Sequence, residues 1–126
     1  MALWTLKRPG ARERGESAED AALAYLEAAG LRLLERNYRT PGRGGGEIDL
    51  IMRGEEGTLV FVEVRARAKA AHGGAAASVN AAKQRRIIFA AHHYLRRFRA
   101  LPPCRFDVIA IDGERVEWLR AAFEAG

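Results

Sequence analysis

Gly46-Glu47-Ile48-Asp49-Leu50-Ile51, a turn at Arg53-Gly54-Glu55-Glu56-Gly57, and then Phe61-Val62-Glu63-Val64-Arg65 decide how this chain is read. Strands expose alternate side chains on opposite faces. The first run therefore places Ile48, Leu50 and Met52 on one face and Glu47, Asp49 and Ile51 on the other. The second places Val60, Val62 and Val64 on one face and Phe61, Glu63 and Arg65 on the other. With the loop centred near Glu56, Asp49 falls opposite Glu63 in a hairpin. Like charges directly opposite each other destabilise a sheet. Something must compensate, and a divalent metal is the economical candidate.

The chain has 126 residues, one domain's worth, and 48% of it is hydrophobic, enough for a real core. No apolar run approaches the length of a membrane span. The first nine residues lack the long apolar centre of a signal peptide, so a cytoplasmic location is expected. Cys104 stands alone, which excludes an internal disulfide and any zinc site built on several cysteines. The net charge is +5, and of 21 basic residues only Lys7, Lys69 and Lys83 are lysine. The guanidinium fork matches phosphate oxygens in bidentate fashion, so nucleic acid is the favoured partner. A GC-rich genome or a thermophile's habits produce the same bias.

Around the hairpin the chain reads as helix, three strands, helix and two strands: a mixed central β-sheet flanked by helices, of the α/β class. Residues 1–15 are basic and broken by Pro9, Gly10 and Gly15, and read as a flexible arm before a single domain at 16–126. Residues 16–29 form a helix on the stripe Ala18, Ala22, Tyr25, Leu26 and Ala29, closed by Gly30. A strand follows at 31–38, then a loop at 40–46. Residues 66–77 read as a mobile connection. Ser78 is the expected N-cap of a long helix reaching Arg99, stopped by Pro102-Pro103. A strand at 105–111, a turn at Asp112-Gly113, a short strand near Val116-Glu117-Trp118 and a brief helical tail complete the chain. The crossover helix sets the strand at Arg105 parallel to the one ending at Arg65.

Three features converge on the hairpin. Glu47, Asp49 and Glu63 project from one face, and Mg²⁺ or Mn²⁺ takes such oxygen ligands with waters and substrate phosphates. On the long helix, the apolar stripe through Ile87, Ala91, Tyr94, Leu95 and Phe98 continues back to Lys83, and Ile88 steps back to Gln84. Both face the sheet near Glu63 and Arg65, while Arg85, Arg96 and Arg99 face outward. A cation aimed inward beside carboxylates is placed to hold an attacking water or the scissile phosphate. Finally, Lys7, Arg8, Arg12, Arg14, Arg39, Arg43, Arg67, Lys69, Arg85 and Arg86 form a basic surround that attracts a phosphate backbone.

These residues reach a known pattern. An Asp on one strand and Glu-x-Lys or a variant on the next resembles the PD-(D/E)XK nuclease superfamily, which includes restriction endonucleases and archaeal Holliday-junction resolvases. The whole chain is similar to the YraN family. The matching segments include Leu34-Glu35-Arg36-Asn37-Tyr38-Arg39, Gly46-Glu47-Ile48-Asp49-Leu50-Ile51, Val60-Phe61-Val62-Glu63-Val64-Arg65-Ala66-Arg67, Val79-Asn80-Ala81-Ala82-Lys83-Gln84-Arg85-Arg86 and Arg105-Phe106-Asp107-Val108. The resemblance implies a restriction endonuclease-like fold and a Mg²⁺- or Mn²⁺-dependent endodeoxyribonuclease acting on DNA, branched structures included. It implies Asp49 and Glu63 as metal ligands, with Glu16 as the helical acid some resolvases add, and a homodimer by analogy. Arg65 stands where the superfamily usually has lysine; it neutralises charge but is no base. Lys83 would supply the lysine from the helix, as in some members. Phosphate contacts fall to Arg12, Arg14, Arg39, Arg43, Arg67, Lys69, Gln84, Arg85 and Arg86.

Plainer readings stand beside these. Asp49 and Glu63 are also explained as exposed acids on a half-solvated hairpin, and Glu47 as an edge acid pairing with Arg43 or Arg65. Glu16 also suits a helix macrodipole, and Lys83 is also a lysine snorkelling from a buried stripe. His92-His93 are about 100° apart on a helix and read as surface or packing residues. Gly42-Arg43-Gly44-Gly45-Gly46 lacks the Gly-Lys-Ser/Thr ending of a phosphate-binding P-loop and reads as a flexible lip over the site. The alternative to a nuclease is a non-catalytic nucleic-acid-binding module on the same fold, and a third reading is a protein-interaction scaffold.

Overall fold

A computed structural model describes the backbone of residues 11–66 and 79–125, and the side chains of these from residue 17 onward. The elements are α1 (Ala11–Ala28), β1 (Arg32–Arg39), β2 (Glu47–Arg53), a single 3-10 turn (Glu55–Gly57), β3 (Leu59–Ala66), α2 (Ala81–Leu95), β4 (Cys104–Asp112) and β5 (Arg115–Phe123). Five strands make one sheet in the order β1-β2-β3-β4-β5. Only the β3–β4 pair is parallel; the others are antiparallel, as short connections require. This is an α/β fold with a mixed sheet and two helices, consistent with the restriction endonuclease-like class. Among the described residues no helix is long and apolar enough to cross a membrane.

Each helix covers one face. Ala18, Ala22 and Leu26 of α1 are buried against Leu50, Met52, Val60 and Val62. Ile87, Ala91 and Tyr94 of α2 are buried against Ile51, Leu59 and Phe61. A fully buried Leu, Ile or Phe side chain stabilises the fold by roughly 1.5–3 kcal/mol, and both clusters run along the central strands. Gly30, at φ 102°, turns the chain out of α1 in a left-handed conformation that favours glycine.

Several local readings change. Helix α1 begins at Ala11, so residues 11–15 are helical rather than part of an arm; the rest of the expected arm lies outside the described residues. Of the connection expected at 66–77, Ala66 is the last residue of β3 and the rest lies outside the described residues, as does Ser78. Asn80 is the N-cap of α2, its side chain accepting the Lys83 amide N–H at 2.8 Å. Helix α2 stops at Leu95, and the amides of Arg97 and Phe98 bond three residues back in tighter turns. Among the described residues no helical tail follows Trp118. Strand β5 runs on to Phe123 because Asp107, fully buried on β4, gathers its donors from β5. Asp107 accepts from Trp118 Nε1 at 2.9 Å and from the Ala121 amide at 2.9 Å, besides Arg105 Nε at 2.8 Å and Nη2 at 3.0 Å.

The pleat is also broken where the site lies. Ile48 packs with Ile51 on the α2 face, whereas Leu50 and Met52 pack on the α1 face, so the strict alternation expected of β2 fails at Asp49. The register Arg36↔Leu50 and Tyr38↔Ile48 puts Asn37 opposite Asp49. Asn37 takes φ 54°, the left-handed region that asparagine tolerates better than most residues. The left-handed residue of β1 thus lies at the level where β2 changes faces.

Candidate functional site

The β2–β3 ladder runs from Arg53↔Leu59 to Leu50↔Val62, and one step further Asp49 stands opposite Glu63. There the two strands part. The Val64 amide donates to Asp49 Oδ2 at 2.8 Å, so a carboxylate takes the place of a ladder carbonyl. Asp49 is half-buried, and Glu63 is 2% exposed.

Two cations meet Glu63 on one oxygen. Arg65 Nη1 lies 3.3 Å and Lys83 Nζ 3.7 Å from Glu63 Oε2. Arg65 reaches it from two residues along β3, and Lys83 from the first turn of α2. Among the described residues Glu63 Oε1 is buried with no hydrogen-bond partner. Burial pushes the Glu63 carboxyl up to about 7, the Asp49 charge adds to the rise, and Lys83 and Arg65 oppose it. Asp49 is raised as well, first by burial, with the Val64 N–H bond pulling the other way. Both carboxyls are thus held above their ordinary values, and the pair favours keeping a proton.

Asp49, Glu63, Arg65 and Lys83 therefore come together. Glu47 does not join them: its oxygens face Arg39 at 3.9 Å and Arg86 at 3.7 Å. Gln84 spends its amide on Val79 O at 3.0 Å, at the start of the helix. Arg43 and Arg85 are exposed. The side chains of Arg12, Arg14, Glu16, Arg67 and Lys69 lie outside the described residues. His92 is exposed, and His93 pairs with the Tyr38 hydroxyl, a packing role. The loop before β2 is tied down rather than slack, with Thr40 Oγ1 accepting the Gly46 amide at 2.8 Å.

One acid was not singled out from the sequence. Glu19, on α1, is raised by burial and next by the charge of Asp49. It is anchored by Arg36 Nε at 3.5 Å, and the Asn37 amide, turned to donate, reaches both of its oxygens at 3.3 Å. Its signal was its position beside buried Ala18 and one turn before buried Ala22, on the inward side of the helix. Among the described residues no three of Asp, Glu, His and Cys gather closely enough to hold an ion alone. The donor set is the pair Asp49 and Glu63. One or two carboxylates, with waters and phosphate oxygens, is the usual protein contribution to a magnesium site.

A family model described as "Uncharacterised protein family UPF0102" matches residues 18–111. A UPF0102 protein of Paracidovorax citrulli is 68% identical over 115 residues, covering 91% of this chain and 85% of that protein. One of Albidiferax ferrireducens is 67% identical over 114 residues, covering 90% and 89%. One of Polaromonas naphthalenivorans is 62% identical over 128 residues, covering 94% and 84%.

Proposed function

The chain belongs to the UPF0102 (YraN) family, and on that footing we propose that it is a metal-dependent endonuclease-like protein hydrolysing DNA phosphodiester bonds, branched structures included. One observation carries the reading: Glu63, buried beside Asp49, has one oxygen on Lys83 and Arg65 and the other without a partner among the described residues. A buried carboxyl oxygen left unpaired costs about 1–3 kcal/mol or more. A hard divalent cation relieves both that deficit and the repulsion between the two acids.

Asp49 and Glu63 would hold Mg²⁺ or Mn²⁺. When bound, the ion supplies Lewis-acid stabilisation of charge on the phosphoryl oxygens. Lys83 and Arg65 offset negative charge at the same phosphate. Arg65 is permanently protonated and takes no proton from water. Val64 fixes the orientation of the Asp49 carboxylate through its amide, and Glu19 extends the acidic field from α1. Arg12, Arg14, Arg39, Arg43, Arg67, Lys69, Arg85 and Arg86 grip the backbone without reading sequence. A homodimer acting in the cytoplasm completes the proposal, by analogy with resolvases.

Arg65 favours a second reading, a nucleic-acid-binding module that no longer turns over. Incubation with branched and single-stranded DNA in Mn²⁺ separates the two. Cleavage abolished by Asp49→Asn and by Glu63→Gln supports the enzyme. Binding without cleavage, unchanged by those substitutions, supports the module. Calorimetric titration of Mn²⁺ into wild type and Asp49→Asn tests the metal directly; equal isotherms would overturn the metal assignment.

A further inference from the structure

Two arginines outside the carboxylate pair converge on Glu47. Arg39 Nη2 lies 3.9 Å from its Oε2, and Arg86 Nη2 lies 3.7 Å from its Oε1. Both separations exceed hydrogen-bonding distance, so each guanidinium is held near the acid with donors to spare. The two side chains are 73% and 52% exposed. Beside them lies a cleft of about 360 Å³, walled by Arg39, Thr40, Glu47, Arg86 and the glycines before β2. That volume lies in the range of small-ligand sites.

The glycine wall is built to be close. Thr40 and Gly46 exchange bonds, the Thr40 amide donating to Gly46 O at 3.1 Å and the Gly46 amide donating to Thr40 Oγ1. Arg86 Nε donates to Gly45 O at 3.4 Å. A Cβ on Gly46 would sit 1.9 Å from Arg86 O, and one on Gly45 2.4 Å from Thr40 Oγ1. The turn is thus fastened to α2 at the very residue that carries the arginine. Two guanidiniums against a wall without side chains suit a tetrahedral oxyanion. They do not suit a cation, which the same two charges repel.

We propose that this cleft is a second phosphate subsite, which seats the backbone phosphate next to the one presented to Asp49 and Glu63. Glu47 is the acid that occupies the two arginines in the free protein, and not a metal ligand. The inference rests on nucleic acid being the ligand. Glu47 and Asp49 are two residues apart on an extended strand, about 6.6 Å, comparable to the spacing of successive phosphates along one nucleic-acid strand. In the free protein Glu47 partly neutralises the arginines, and its charge opposes the incoming phosphate.

Fluorescence anisotropy of a short labelled DNA strand, titrated in EDTA over a range of NaCl, reads the subsite without any metal. Arg39→Ala and Arg86→Ala are each expected to weaken binding several-fold and to reduce the salt slope by about one. Arg99→Ala, beyond the C-terminal end of α2, leaves the slope unchanged, and Glu47→Gln tightens binding. Unchanged slopes in both cleft variants, or weaker binding by Glu47→Gln, would overturn the proposal. Inorganic phosphate bound by wild type and released by Arg86→Ala, with DNA binding equal in the two proteins, would assign the cleft to the free anion and overturn the backbone assignment. No binding by wild type at low salt overturns the nucleic-acid reading itself. A failure of cleavage, by contrast, leaves these binding results standing, so the two proposals fail separately.

Discussion

The Val64 amide N–H donates to Asp49 Oδ2 at 2.8 Å, at the level where the β2–β3 ladder would otherwise continue. A side chain assigned to chemistry thus also closes the backbone. Asp49→Asn keeps an acceptor for that amide, whereas Asp49→Ala leaves it unpaired. Both remove the charge, so the comparison isolates the bond. Asp49→Ala is expected to be less stable than Asp49→Asn by about 1–3 kcal/mol in urea denaturation with EDTA present. Equal midpoints would show that water or a shifted strand satisfies Val64.

Glu63 sets a pH dependence with a definite sign. Its carboxyl titrates at about 7 in the fold against an ordinary value of 4.5. Between those values the folded chain holds more protons than the unfolded chain, so metal-free stability falls as pH rises from about 4.5 to about 7 and then levels. The contribution at stake is on the order of 3 kcal/mol. Glu63→Gln, measured against wild type in EDTA, is expected to match it near pH 4 and exceed it at pH 8. Lys83→Met removes the largest opposing charge and pushes the Glu63 titration higher, which carbon-detected NMR of the carboxyl reports directly.

The glycines before β2 and in the β2–β3 turn make contrasting demands. Gly46→Ala drives a Cβ into the Arg86 carbonyl at 1.9 Å, backbone against backbone, and is expected to cost about 1–3 kcal/mol. Gly54, at φ −103° and with nothing nearer than 3.6 Å to an added Cβ, needs no special conformation. Gly54→Ala is expected to be neutral or to stabilise by roughly 0.5 kcal/mol. Thermal melts of both variants check the pair; a reversed order would mean the turn at Gly46 relaxes freely.

Asp107 tests the far side of the sheet. Its carboxylate is fully buried and accepts from Arg105, Trp118 and the Ala121 amide. Asp107→Asn points an amide group at donors and is expected to cost about 3 kcal/mol or more. Mn²⁺ affinity of the remaining folded protein should not change, because Asp107 takes no part in the Asp49–Glu63 pair. A change in Mn²⁺ affinity at unchanged stability would reverse that separation.

How much of this was legible follows from distance along the chain. The turn is short and symmetric about Glu56, so placing Asp49 opposite Glu63 needed only the counting of residues. Lys83 followed from the 3.6-residue period of a helix whose core stripe was unmistakable. The reversal of faces at Asp49 was not legible, because the residues of β2 alternate regularly in type and the level is marked only by the left-handed Asn37 on a neighbouring strand. Glu19 was obscured because the helix begins five residues before the expected start, among residues whose glycine and charge suggested a coil. The grip of Arg86 on the loop at Gly45 joins residues forty-one apart, and no local pattern announces it. The extension of β5 to Phe123 was hidden because Asp107 reads as an ordinary strand acid until its donors on the next strand are known.

The parallel seam between β3 and β4 pairs Leu59 with Cys104 and Ala66 with Ile111, positions forty-five residues apart at every step. Each flanking antiparallel pair closes over a short turn and can form early and alone. The central seam has to await the arrival of α2. Loop-closure entropy falls on that one junction, so the chain should assemble as two ribbons that meet late, more slowly than a helical bundle of equal size. The helix that delivers Lys83 is the same piece of chain that brings the ribbons together, so a molecule that has not finished folding has not finished its site.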